Sequence, residues 1–100
     1  MIREVFWEEP NTAVAVAMAE SGFNPRAINA KDKHKTCYGS YGIFQVGCIH
    51  GHDTTTLYDV EENIRIARAL YDDAKARTGN GWQPWGAYTD GSYKRYLATR

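Results

Sequence analysis

Apolar residues recur along the chain in several distinct patterns, and each predicts an element. Ile2, Val5 and Phe6 fall on one side of a helical repeat, with Arg3, Glu4 and Glu8 elsewhere, so a short amphipathic helix is expected over Ile2 to Glu9. Pro10 should end it. Asn11 or Thr12 can cap the next helix, which carries seven consecutive apolar residues, Ala13 to Ala19, and so should run through the core. Glu20 and Ser21 close that run, and Gly22 supplies a left-handed stop.

From Asn24 to Thr36 the chain is polar and rich in turn formers, including the cluster Lys31, Asp32, Lys33, His34 and Lys35, and reads as a surface loop. Cys37 to Ser40 and Ile43 to Val46 are short β-compatible pieces pivoting near Tyr41 and Gly42, which predicts a small hairpin. Gly47 to Thr56 reads as loop again. Asp59 and Glu62 form a capping-box-like start, after which Val60, Ile64, Ala67, Leu70 and Ala74 recur at helical spacing as far as Thr78 and Gly79. Glu61 with Arg65 and Asp73 with Arg77 should pair on the wet face of that helix. Gly81 to Arg100 gathers Trp82, Trp85, Tyr88, Tyr93 and Tyr96 into short helical or turn segments.

With 100 residues, 43% of them hydrophobic, the chain suits one compact domain over residues 1–100, expected to be a monomer. Twelve basic residues balance twelve acidic ones, so neither a nucleic acid nor an anionic membrane is the expected partner. No stretch approaches the roughly 20 apolar residues of a membrane span, and Met1 to Pro10 is too charged for a secretion signal. Cys37 and Cys48 fit one disulfide, two reduced thiols or, together with His34, His50 and His52, a zinc site of no familiar spacing. We expect no metal and no cofactor.

Glu20 is where the pattern suggests chemistry. The greasy segment before it implies desolvation, which disfavours the charged form of an acid. The negative end of the helix dipole lies beside it, and Val16, Ala17 and Met18 one turn back offer no cation. All three effects favour a carboxyl that holds its proton and can donate it. An arbitrary glutamate at a helix end is ordinarily a solvated, fraying residue.

Three segments then complete a pattern: Glu20-Ser21-Gly22-Phe23-Asn24-Pro25, Ser40-Tyr41-Gly42-Ile43-Phe44-Gln45 and Ala87-Tyr88-Thr89. In this order they resemble the three successive motifs of the lysozyme-like lytic transglycosylases, over a span from about Ala13 to Leu97. The resemblance implies an α+β, predominantly helical lysozyme-like fold with a small β-hairpin. It implies an enzyme that cleaves the glycan strands of bacterial peptidoglycan at the cell wall, with Glu20 as the catalytic acid. Gln45 and Tyr88 are then expected to line the sugar cleft, with Ser40 near the reacting sugar. Gln45 both donates and accepts hydrogen bonds, which suits an N-acetyl group, and Tyr88 offers a ring face and a hydroxyl.

Ser40 stands where egg-white-type lysozymes carry an aspartate, and Thr89 where the transglycosylase motif has asparagine. The favoured route therefore uses one carboxyl: Glu20 protonates the leaving oxygen, the substrate's acetamido group stabilises the positive sugar, and Glu20 then acts as a base to form an anhydro ring. The alternative is hydrolysis, with Asp32 or another loop acid orienting a water. A domain that holds glycan without cutting it is a third reading. Ser40 and Gln45 could also serve only hairpin backbone groups, and the two tryptophans could be core residues.

Overall fold

The computed structural model describes residues 1–97, so the end of the aromatic stretch, positions 98–100, lies outside the described residues. The chain runs through α1 (Ile2–Val5), α2 (Pro10–Ser21), β1 (Ile28–Lys33), β2 (Tyr38–Tyr41) and β3 (Val46–Gly47), then a 3-10 turn at Cys48–His50. It continues through α3 (Thr54–Tyr58), α4 (Val60–Thr78), α5 (Gly86–Thr89) and α6 (Lys94–Leu97). The result is an α+β fold in which helices pack beside one small antiparallel sheet of order β1-β2-β3.

The first helix is shorter than the repeat suggests, ending at Val5, and Phe6 turns inward to become almost completely buried. Pro10 does not close that helix from behind but opens α2 at its first turn, with Glu9 rather than Asn11 or Thr12 in the capping position. Proline suits that place because its missing N–H would have no helical partner there and its φ is already helical. α2 buries Ala13, Ala15, Val16 and Ala17 and ends at Gly22, whose φ of 63° is left-handed and whose N–H returns to Met18 O.

α4 follows its sequence signals closely. Asp59 accepts a hydrogen bond from Glu62 N at 3.0 Å, the pairs Glu61–Arg65 and Asp73–Arg77 form on the exposed face, and Gly79 ends the helix at a φ of 83°. Its inner face meets Phe6, Val16, Phe44, Trp82 and Trp85 in one core cluster. Phe6 lies 5.0 Å from Trp82 and 5.4 Å from Phe44, ring centre to ring centre. Trp82 and Trp85 are thus core residues, as one reading held, and Trp85 also donates its ring N–H to Phe44 O at 2.8 Å.

The sheet departs furthest from expectation. The polar stretch expected to be a loop contains β1, six residues exposed at every position, which pairs antiparallel with β2. An exposed edge strand carries no apolar alternation, so its sequence looks like loop. The hairpin does turn around Tyr41 and Gly42, as expected, since Ser40 faces Gly47 and Tyr41 faces Val46. Ile43 and Phe44 are not strand residues, however: they lie in the tight turn between β2 and β3 and drop their side chains into the core. The segment 47–56 holds the 3-10 turn and the start of α3 rather than plain loop. Cys37 and Cys48 are joined as a disulfide across the sheet's end, which removes them as thiols and as zinc ligands.

Candidate active site

The end of α2, the sheet and the segment leading into α5 enclose a pocket of about 150 Å³. Glu20 lines it from α2, Asp32 from β1, Ser40 from β2, and Gln45 and His34 from the adjoining turns. Trp85 and Leu70 supply apolar wall.

Glu20 is half-buried, and the backbone N–H of Ala87 donates to its Oε2 at 3.2 Å. Ala87 lies in the first turn of α5, where an amide has no partner within the helix. Burial pushes the Glu20 carboxyl above the ordinary glutamate range. The Ala87 hydrogen bond opposes that rise, while the negative charges of Asp32 and Asp90 add to it. Desolvation, foreseen from the apolar run, is thus the leading cause, and two acids distant in sequence supply a contribution that sequence did not reveal.

Asp32 reaches the pocket through an irregularity in β1. Asn29 pairs with Ser40 and Lys33 with Tyr38, so four steps along β1 match two along β2 and the strand bulges between them. A bulge bends a strand and re-aims the side chains it carries. Ser40, almost completely buried, donates its hydroxyl proton to Asp32 Oδ2 at 2.5 Å. His34 Nε2 lies 3.1 Å from Ser40 Oγ and 3.6 Å from Asp32 Oδ2. His34 in turn packs against Gly47, where an added Cβ would collide with the imidazole.

Gln45 stands at the pocket wall with a φ of 51°, and its amide nitrogen donates to Gly42 O at 2.9 Å and Ala27 O at 3.1 Å. Both amide protons are therefore engaged, and its carbonyl oxygen is the part that can meet a ligand. Tyr88 is not brought to the pocket. Its ring stacks on Tyr93 at 4.7 Å and faces Trp82 at 6.5 Å, and burial raises its phenol above the ordinary range. The structure thus unites Glu20, Ser40 and Gln45 and leaves Tyr88 packed on Tyr93 and Trp82.

Three residues support this pocket from behind. Asn63, fully buried in α4, accepts from Phe44 N at 2.9 Å and donates to Tyr41 O at 3.0 Å and Leu57 O at 2.8 Å, clamping the turn that carries Gln45. Gly42, at a φ of 83°, leaves room for that clamp, since a Cβ would strike the Asn63 amide and Leu57 O. Asn63 was detectable only as a polar residue on the apolar face between Val60 and Ala67. Ser21 adds a third tie, with its hydroxyl 2.7 Å from Ile43 O, linking the end of α2 to the same turn.

Among the described residues no group of three or more His, Cys, Asp or Glu side chains is arranged to hold a metal ion. No described helix is long and apolar enough to cross a membrane. No curated protein and no solved structure was found to match the chain. A family profile described as "Lysozyme like domain" matches residues 7–87, which include α2, the sheet, α4 and the start of α5. The chain therefore belongs to the lysozyme-like domain family.

Proposed function

We propose that this domain cleaves the glycan strand of bacterial peptidoglycan, with Glu20 as the proton donor. The observation that carries the reading is the half-buried Glu20 carboxyl, biased toward its protonated form and held at the pocket wall by Ala87 N–H. A protonated acid in that setting gives its proton to the bridging oxygen as the bond from that oxygen to the anomeric carbon breaks, leaving positive charge on the sugar. The Gln45 carbonyl oxygen is suited to accept the N–H of an acetamido group at the adjoining sugar.

The place of Asp32 favours a hydrolytic ending. An anion across the pocket from the acid stabilises the sugar cation and takes a proton from the incoming water as its oxygen bonds to the anomeric carbon. The net change is addition of one water. The anhydro-forming route remains as a second reading because it needs Glu20 alone, and because Ser40 already occupies Oδ2 of Asp32. There the sugar's own hydroxyl attacks and its proton goes to the Glu20 carboxylate, with no water added.

Digestion of purified peptidoglycan in water enriched in oxygen-18, followed by mass analysis of the soluble fragments, separates the readings. Hydrolysis yields reducing ends carrying the heavy oxygen. Anhydro ends, lighter by one water and unlabelled, establish the transglycosylase route, and an intact glycan with bound protein leaves a binding module in place of an enzyme.

A further inference from the structure

We propose that His34 is a positioning residue that acts through Ser40 to fix the Asp32 carboxylate in the pocket, an inference that rests on the hydrolytic reading above. The polar chain has one consistent proton arrangement. Ser40 has a single hydroxyl proton, and the 2.5 Å contact to Asp32 Oδ2 uses it. Ser40 Oγ is then an acceptor toward His34, so Nε2 of His34 must carry a proton to make its 3.1 Å contact. The chain runs His34 Nε2–H to Ser40 Oγ–H to Asp32 Oδ2.

This arrangement excludes a nucleophilic role for Ser40. A serine activated by histidine surrenders its proton to that histidine, with an acid bonded to the other ring nitrogen. Here the acid holds the serine proton, and both Asp32 and Ser40 face the same ring nitrogen. The chain instead orients a carboxylate: Oδ2 is engaged, and Oδ1 is the oxygen available to a water.

The surroundings are built to keep His34 in place. Its ring occupies the space that the absent side chain of Gly47 leaves open, and its backbone N–H donates to Cys37 O at 2.8 Å. Cys37 is itself tied to Cys48, the residue after Gly47. The bulged β1 by itself leaves Asp32 on a side chain about half exposed, so two fixed partners are what limit its freedom.

The test measures turnover on purified peptidoglycan for His34→Ala, His34→Gln and His34→Asn, each alone and in an Asp32→Asn background, with folding checked by circular dichroism. We expect His34→Ala to lower kcat by about tenfold with little change in KM, in keeping with the cost of a misplaced group. Gln, which can present an N–H near the position of Nε2, should restore most of the loss, and the shorter Asn should not. In the Asp32→Asn background His34→Ala should cost nothing further, because residues acting as one unit are not additive. An equal loss in both backgrounds, or full activity of His34→Ala, overturns the proposal. Nitrogen-15 spectra of the wild-type imidazole supply a readout independent of turnover: a proton on Nε2 of His34 is expected, and the Nδ1–H tautomer with a bare Nε2 refutes the chain. If the wild type cleaves no glycan, the functional reading fails while the spectra still decide the hydrogen-bond chain.

Discussion

Ala87 N–H points at Glu20 Oε2 across 3.2 Å, joining residues 67 positions apart. The acid that ends α2 is thus held by the first turn of α5, and the third sequence motif serves the first through backbone. Tyr88, the aromatic next to Ala87, packs α5 onto Trp82 and Tyr93 instead of facing the pocket.

The raised carboxyl of Glu20 has a pH signature. As a proton donor it works while protonated, so kcat/KM should fall as pH rises through a value above the ordinary glutamate range. The stability effect has the same direction. Folded Glu20 binds its proton more tightly than unfolded Glu20, so stability declines as pH rises from the ordinary value through the raised one. Glu20→Gln removes that penalty, and its Tm at pH 7 should be no lower than that of the wild type, as a thermal melt will show.

Removing the Asn63 clamp should loosen the pocket from behind. Asn63→Ala leaves Phe44 N–H and the Tyr41 and Leu57 carbonyls without their side-chain partner in a buried setting. A loss of about 2–4 kcal/mol is expected from one or two such groups plus the small cavity, measured by urea unfolding. Gly42→Ala should be at least as damaging, because it adds a left-handed strain to a collision with the same amide.

The Cys37–Cys48 disulfide closes a loop that contains Ser40, Gln45 and Gly47. Replacing both cysteines by serine should cost about 2–3 kcal/mol for a loop of this size. The change should also lower turnover more than it lowers binding, because the sheet residues that hold Asp32 lose their tether. Comparing Tm, kcat and KM with the wild type, under oxidising and reducing conditions, checks both effects.

Arg68 joins α4 to the first turns of the chain. Its Nη1 and Nη2 grip the two oxygens of Glu8 at 2.6 and 2.8 Å, and Nη1 also donates to Val5 O at 3.0 Å. The guanidinium holds the Glu8 carboxyl down to about 2. Glu8 therefore contributes stability that is present above the ordinary glutamate value and is lost as pH falls toward 2. Urea unfolding of wild type and Glu8→Gln should show the wild type more stable at pH 7 and the difference vanishing near pH 2.

What could be read from the sequence was whatever depends on local signals. α4 was legible because Asp59, the helical repeat and Gly79 all agree, and Glu20 was legible because a long apolar run stops at it. β1 was not, since all its positions are exposed and its partner, β2, lies beyond a turn. The pocket position of Asp32 depends on a two-residue slip in pairing register, and a register has no signature in one strand's residues. The Ser40 motif drew attention to the absence of an aspartate at that position. The fold supplies a carboxylate from eight residues earlier, bonded to that same serine.

The most direct measurement compares wild type and Glu20→Gln for release of soluble fragments from purified peptidoglycan at neutral pH. Removing the proton donor should reduce release by at least about 100-fold while the circular dichroism spectrum stays unchanged. Equal release by the two proteins would contradict the central role of Glu20.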